Sequence, residues 1–310
     1  MKAITVVLAI LLVIGVAIFL AASSGNGPAS VEMSVATSDP PAYLAGTTSR
    51  IVESAITGRT YQVSVALPRT YATSNETYPV LYAVDANVEF GMVVETARLM
   101  QFEDLIPELI IVGIGYPFET YFEALGRRWL DLTPTEDPGW VERETAANAD
   151  SPWRIPEGSG GAPGFLQFIR EELIPQVEAE YRVDPRRGRA LFGHSLGGLF
   201  AFYSLFEGEE TFDRFIVGSL SMRPDERFPF KLEEAFAETH SSLRARVFFS
   251  VGSLESERRI SDLRELWEVL ADREYDGFEF ASHVFEDEAH TSSVPVTISR
   301  GLRYIFGDQQ

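Results

Sequence analysis

The chain has 310 residues, with 26 Lys and Arg against 46 Asp and Glu, a formal charge of −20, and no Cys. The charge argues against nucleic acid and anionic membrane surfaces as partners, because phosphate binding needs clustered cations. The lack of Cys excludes disulfides, thiolate metal sites and a cysteine nucleophile, and the 45% hydrophobic and 23% charged content is that of a globular protein.

In chain order, Ala3–Ala22 is an unbroken apolar run behind a single cation, Lys2. Its length suffices to cross roughly 30 Å of hydrocarbon and exceeds the roughly 7–15 residues of a signal-peptide core. Small residues follow at once (Ala21, Ala22, Ser23, Ser24), as cleavage would require. Residues 1–22 are therefore expected to be a signal-anchor or signal peptide. The rest would lie outside the cytoplasm, anchored in the membrane or released as a periplasmic or secreted domain. Residues 23–42 are small, polar and Pro-containing, which suits a flexible linker. The catalytic domain is expected over 43–310.

Thr48–Ile56 and Thr60–Leu67 alternate in polarity around Thr57-Gly58-Arg59, a hairpin signal. Tyr78–Val84 and Glu108–Ile114 are continuous apolar runs of strand length, with a helical pattern between them over Phe90–Phe102. Pro117–Gly161 is long, rich in Pro, Gly, Trp and Arg, and weakly periodic. It is expected to be an insertion over the domain, since loops of this length are usually functional or disordered. An amphipathic helix follows over Phe165–Tyr181, then a short strand Arg189–Phe192 and an apolar helix Leu196–Phe206. Phe215–Leu220, Arg246–Val251 and Phe278–Phe285 are further strands, and Val294–Phe306 is the last helix. Strands alternating with helices predict an α/β domain with a mostly parallel sheet, helices on both faces and an antiparallel hairpin at one edge.

The informative motif is Gly193-His194-Ser195-Leu196-Gly197-Gly198, between a predicted strand and a predicted helix. A G-x-S-x-G in that context is a nucleophile elbow, in which glycines allow a tight, strained turn and serine stands at the C-terminal edge of the sheet. The helix N-terminus and the Leu196 N–H would favour a developing oxyanion. The second oxyanion donor is expected after the strand Tyr78–Val84, and the backbone N–H of Asn87 is the candidate.

Serine needs a base, and there are four histidines. His194 sits inside the elbow and should point away from the serine, and His240 ends a helix before the acid-bearing strand. His283 lies within an apolar strand and is expected to be buried. His290 follows the last strand and precedes the last helix, where the base of this architecture belongs, in the chain order Ser, acid, His. The acid should follow the strand Arg246–Val251, where Glu255 is the first carboxylate and Glu257 and Asp262 are rivals. Glu286, Asp287 and Glu288 are near His290 in sequence and are expected to be solvated.

With these residues in place, the chain resembles the esterase-D-like "putative esterase" family of α/β-hydrolases over about residues 47–307. Tyr78-Pro-Val-Leu-Tyr-Ala-Val-Asp85 resembles the family's strand leading to an oxyanion loop, and Arg128-Trp-Leu-Asp131-Leu-Thr-Pro134 its Arg/Asp/Thr-Pro segment. Glu171-Glu-Leu-Ile-Pro175 resembles the helix before the elbow, and His290 ahead of Ser299–Phe306 the terminal histidine helix. The pattern is closest to the siderophore-esterase branch. Ala86 stands where a Gly is usual, and Gly218-Ser-Leu-Ser-Met222 replaces a Ser-Pro-Ser-aromatic segment.

The resemblance implies an α/β-hydrolase fold and a serine carboxylic-ester hydrolase working through an acyl-enzyme on a small-molecule ester, including siderophore-type lactones. An acyltransferase with the same triad and a non-catalytic binding protein on this scaffold are the alternatives. Arg127 and Arg128 are candidates to pair with an anionic group, and Trp129, Trp140 and Trp153 to stack on a ring. No Walker loop, dinucleotide fingerprint or metal-ligand cluster occurs in the sequence, so no cofactor and no metal is expected.

Overall fold

The computed structural model describes residues 44–117, 124–150, 156–208, 211–223, 225 and 227–307. The expected N-terminal anchor or signal peptide and the linker lie outside these residues, as does Trp153. Eight strands form one sheet in the order β1-β2-β4-β3-β5-β6-β7-β8. β1 (Thr47–Glu53) and β2 (Thr60–Ala66) make the predicted antiparallel hairpin, and β2 pairs antiparallel with β4 (Ile110–Gly115). From there β3 (Val80–Ala83), β5 (Arg189–His194), β6 (Arg214–Gly218), β7 (Ser242–Gly252) and β8 (Asp276–Phe285) run parallel. The molecule has the α/β-hydrolase fold. Central strands buried on both faces read as apolar runs, which is why β3 and β4 were legible without alternation.

Helices cover both faces. On one, α1 (Ala86–Phe102) and the last helix, α9 (Ser293–Phe306), bury Val93, Val94, Ala97, Ile298, Leu302 and Ile305 against the sheet. The other face carries α4 (Ala162–Phe168), α5 (Ile174–Glu180), α6 (Leu196–Glu207), α7 (Phe228–Ala237) and α8 (Glu257–Arg273). α4 runs into α5 through a π turn, Ile169–Leu173, in which the Ile174 N–H reaches back to the Ile169 carbonyl. Pro175 explains the wider turn. Its ring would meet the carbonyl four residues back in a regular helix, and it has no N–H to donate.

The structure departs from the sequence reading in two places. The segment 117–161 is not structureless: it carries α2 (Ala124–Asp131) and α3 (Pro138–Ala147). The start of α3 has a cap signal, with Pro138 at its first position and the Asp137 carboxylate accepting from the Trp140 N–H at 2.8 Å. His283 is exposed, not buried. β8 is the edge of the sheet, and His283 stands on it with its ring 4.6 Å from Phe285. Among the described residues no helix is long and apolar enough to cross a membrane.

Candidate active site

β5 delivers the chain to a sharp turn. Ser195 sits at φ 60° and ψ −114° as the N-cap of α6, a conformation that costs energy for any residue with a Cβ and persists only when its surroundings enforce it. Two glycines allow it. A Cβ on Gly193 would run into the Gly197 carbonyl, and one on Gly197 would lie 2.8 Å from Asp85 Oδ2. The Ser195 N–H is tied to the Gly218 carbonyl of β6 at 2.9 Å.

Three side chains that lie far apart in sequence meet above this turn. His290 Nε2 is 3.0 Å from Ser195 Oγ, and His290 Nδ1 is 2.7 Å from Glu255 Oε2. Glu255 comes from the loop after β7 and His290 from the loop after β8. The two loops are stitched together by Leu254 N–H to the Glu288 carbonyl and Ser253 N–H to the Phe285 carbonyl. The Glu255 side chain is 3% exposed. Burial alone would push its carboxyl up. Hydrogen bonds from His290, from Ser219 Oγ at 2.6 Å and from the Gly252 N–H at 3.1 Å outweigh that and bring it down to about 2.

The rival carboxylates do not reach the ring. Asp262 faces Arg227 and Arg258, Glu288 accepts from Ser292, and Glu257, Glu286 and Asp287 are exposed. Nor do the other histidines reach Ser195. His194 is buried with its ring 4.8 Å from His290, and burial, then its neighbour His290, push it down to about 3, so it carries no charge at neutral pH. The His240 ring stacks on Phe236.

The ceiling of the turn is the loop after β3. Asp85, at φ 56°, caps α1, and Asn87 lies in the first turn of that helix. The Asn87 side chain is fixed to the end of β4, accepting from the Tyr116 N–H and donating to the Tyr116 carbonyl, both at 2.8 Å. The first N–H groups of a helix have no partner within it. Asn87 in α1 and Leu196 in α6 therefore present N–H groups from two positive helix ends. Such an arrangement can hold an oxyanion formed at Ser195.

Arg128 is not spread over solvent. Its guanidinium grips Asp85 through two hydrogen bonds of 2.5 and 2.6 Å, with the two side chains 15% and 3% exposed. Glu89 is buried beside them, and burial, then the Asp85 charge, push its carboxyl well above the usual range. Arg127 is exposed, donating to the Pro117 carbonyl and facing Glu157. Trp129 packs against Trp140 at 4.9 Å between ring centroids, and Trp140 is buried.

Sequence reasoning missed a cleft of about 460 Å³ between α3, α8 and the loop after β6. Its walls carry Arg143, Arg223, Arg227, Arg258 and Arg259. Arg223 faces Glu144, and Arg227 and Arg258 share Asp262. Arg143 has no ion-pair partner among the described residues. The only hint in the sequence was the preponderance of Arg over Lys, because the five residues come from three separate stretches. Among the described residues no group of His, Asp and Glu could hold a metal ion.

A family profile described as "Putative esterase" matches residues 54–129 and 138–295. The chain is 34% identical to the ferri-bacillibactin esterase BesA of Bacillus subtilis over 270 residues, covering 84% of this chain and 90% of that protein. It is 29% identical to the siderophore triacetylfusarinine C esterase of Aspergillus fumigatus, covering 81% and 90%. Among solved structures, the BES protein from Bacillus cereus superposes with a TM-score of 0.72 at 31% identity, covering 87% of this chain and 98% of that one.

Proposed function

The chain belongs to the "putative esterase" family and is an esterase, and on that premise we propose that it is a serine hydrolase that opens siderophore-type lactone esters through an acyl-enzyme. The observation that carries the proposal is the unbroken chain of hydrogen bonds from Ser195 through His290 to Glu255 at the elbow. Ser195 Oγ attacks the ester carbonyl carbon while His290 Nε2 takes its proton. The N–H groups of Leu196 and Asn87 hold the oxyanion. His290 then gives the proton to the leaving alcohol, and Ser195 is left acylated. Water, deprotonated by the same nitrogen, attacks the acyl carbon; the Ser195 Oγ–acyl bond then breaks, Oγ takes the proton back from His290, and the acid is released. Glu255 fixes the ring with Nδ1–H toward the carboxylate, so that Nε2 is the basic nitrogen, and stabilises the ring cation.

The substrate side of the proposal rests on the relatives named for siderophore esters and on the arginine-lined cleft beside the triad. Arg143 and Arg223 in that cleft, and the exposed Arg127 of α2, supply cations to an anionic ester. Trp129 and Arg128 act beneath the surface, as support for the oxyanion loop and the cleft wall. The catalytic domain spans 43–310, and 117–161 is its substrate-facing insertion. The apolar run Ala3–Ala22 supports a position outside the cytoplasm, with the domain anchored or released by cleavage.

The test is to incubate wild-type protein and Ser195→Ala with iron-loaded and iron-free lactone siderophores and to measure opening of the ester bonds. Wild type is expected to open them and the variant to be slower by about a thousandfold or more. Equal rates would sink the proposal.

A further inference from the structure

Glu255 and His290 do not form a closed pair. Arg259, in the first turn of α8, places Nη1 2.7 Å from Glu255 Oε2 and 2.6 Å from His290 Nδ1. Ring nitrogen and guanidinium therefore reach for the same carboxylate oxygen. Nδ1 cannot serve both neighbours at once. With a proton, it donates to Oε2 and cannot accept from Arg259. Without one, it can accept from Arg259, and the ring proton is then on Nε2, facing Ser195 Oγ, where it blocks removal of the serine proton. Glu255 must win this competition for the ring to act as a base. When the ring does take up a proton, the new cation faces a guanidinium at contact distance, across a carboxylate that is almost fully buried.

We propose that Arg259 is a positioning residue of this site, which shares the Glu255 carboxylate with His290 and so opposes charge on the ring. The proposal rests on the reading of Ser195 as nucleophile. The groups facing the ring are Glu255 from the loop after β7, Arg259 from α8, and Ser195 and His194 from the elbow. His194 is neutral, and the nearby Arg128 is matched by Asp85. Glu255 and Arg259 are thus the two charges that set the ring's state. Both meet the ring at Nδ1, so the proposal stands on this shared contact.

The test follows the second-order rate of inactivation by a fluorophosphonate against pH, a readout that needs no natural substrate. It is run on wild type, Arg259→Met, Arg259→Gln and Arg259→Lys, with folding checked by circular dichroism. Without the guanidinium, the acid limb of the profile is expected to move to higher pH by about one unit in the Met and Gln variants. Arg259→Lys, which keeps the charge, is expected to retain the limb of wild type. A uniform loss of rate with the limb unmoved, or a shift in the Lys variant as large as in the Met variant, would overturn the inference. Absence of inactivation of wild type at every pH would instead remove the Ser195 reading on which it rests.

Discussion

The strain at Ser195 is local, and so are the residues that tolerate it. A Cβ on Gly197 would meet Asp85 Oδ2 at 2.8 Å and Val84 Cγ2 at 3.0 Å. Gly197→Ala is expected to displace the oxyanion loop, lowering kcat by tenfold or more while costing about 1–3 kcal/mol in stability. Steady-state kinetics and urea denaturation would separate the two effects. Glu255 gives a pH prediction. Its carboxyl lies at about 2 in the folded protein against 4.5 for an unperturbed Glu. The folded state therefore binds this proton less readily than the unfolded chain does. The resulting stabilisation, about 3 kcal/mol at most, is complete above about pH 4.5 and is lost as pH falls from there toward 2. The urea midpoint of wild type should fall across that window more steeply than that of Glu255→Gln. Parallel curves would contradict the assignment. At this scale the sequence was informative wherever chain order carries meaning. Ser195 stands in a motif, and Glu255 and His290 follow the strands that the architecture assigns to acid and base. Ser219 and Arg259 were not legible, because each acts on Glu255 from an element whose approach only the folded sheet defines.

Among the elements, α3 carries the most consequence for its size. It forms one wall of the arginine-lined cleft and begins at the Asp137 cap. Asp137→Ala is expected to cost about 1 kcal/mol, read as a lower Tm. It should also raise KM for a large ester more than for nitrophenyl acetate, because the cap holds the wall and not the triad. Replacing Arg143 and Arg223 together by Gln should raise KM for an anionic ester by about tenfold, roughly 1.4 kcal/mol, and leave a neutral ester unchanged. Initial-rate measurements on the two substrates decide this. The insertion read as a weakly periodic loop because its helices are short and interrupted by Pro and Gly. The signal present was the Asp137-Pro138 start, which a search for hydrophobic period passes over. His283 shows the opposite failure. Its apolar neighbours suggested a buried strand, but β8 is an edge, and edge position depends on the order of strands, which no single segment encodes.

The whole molecule carries a charge of −20 with only two lysines, Lys2 and Lys231. Self-repulsion of that size disfavours the compact state, so added NaCl is expected to raise Tm by a few degrees as the Debye length shrinks from about 10 Å at 0.1 M to about 3 Å at 1 M. A Tm independent of salt would show that local ion pairs already neutralise the surface. The same field repels anionic substrates at long range, and in the cleft the five arginines stand among Asp137, Glu144, Asp225 and Asp262, so an anionic ester would be held there by close contacts and not by the field of the whole molecule. The central claim concerns Ser195, and peptide mapping by mass spectrometry after reaction with a fluorophosphonate tests it most directly. The account predicts one adduct per chain, on the peptide containing Ser195, with none in Ser195→Ala and a rate reduced by about a thousandfold or more in His290→Ala. An adduct elsewhere, or labelling that survives loss of Ser195, would contradict it.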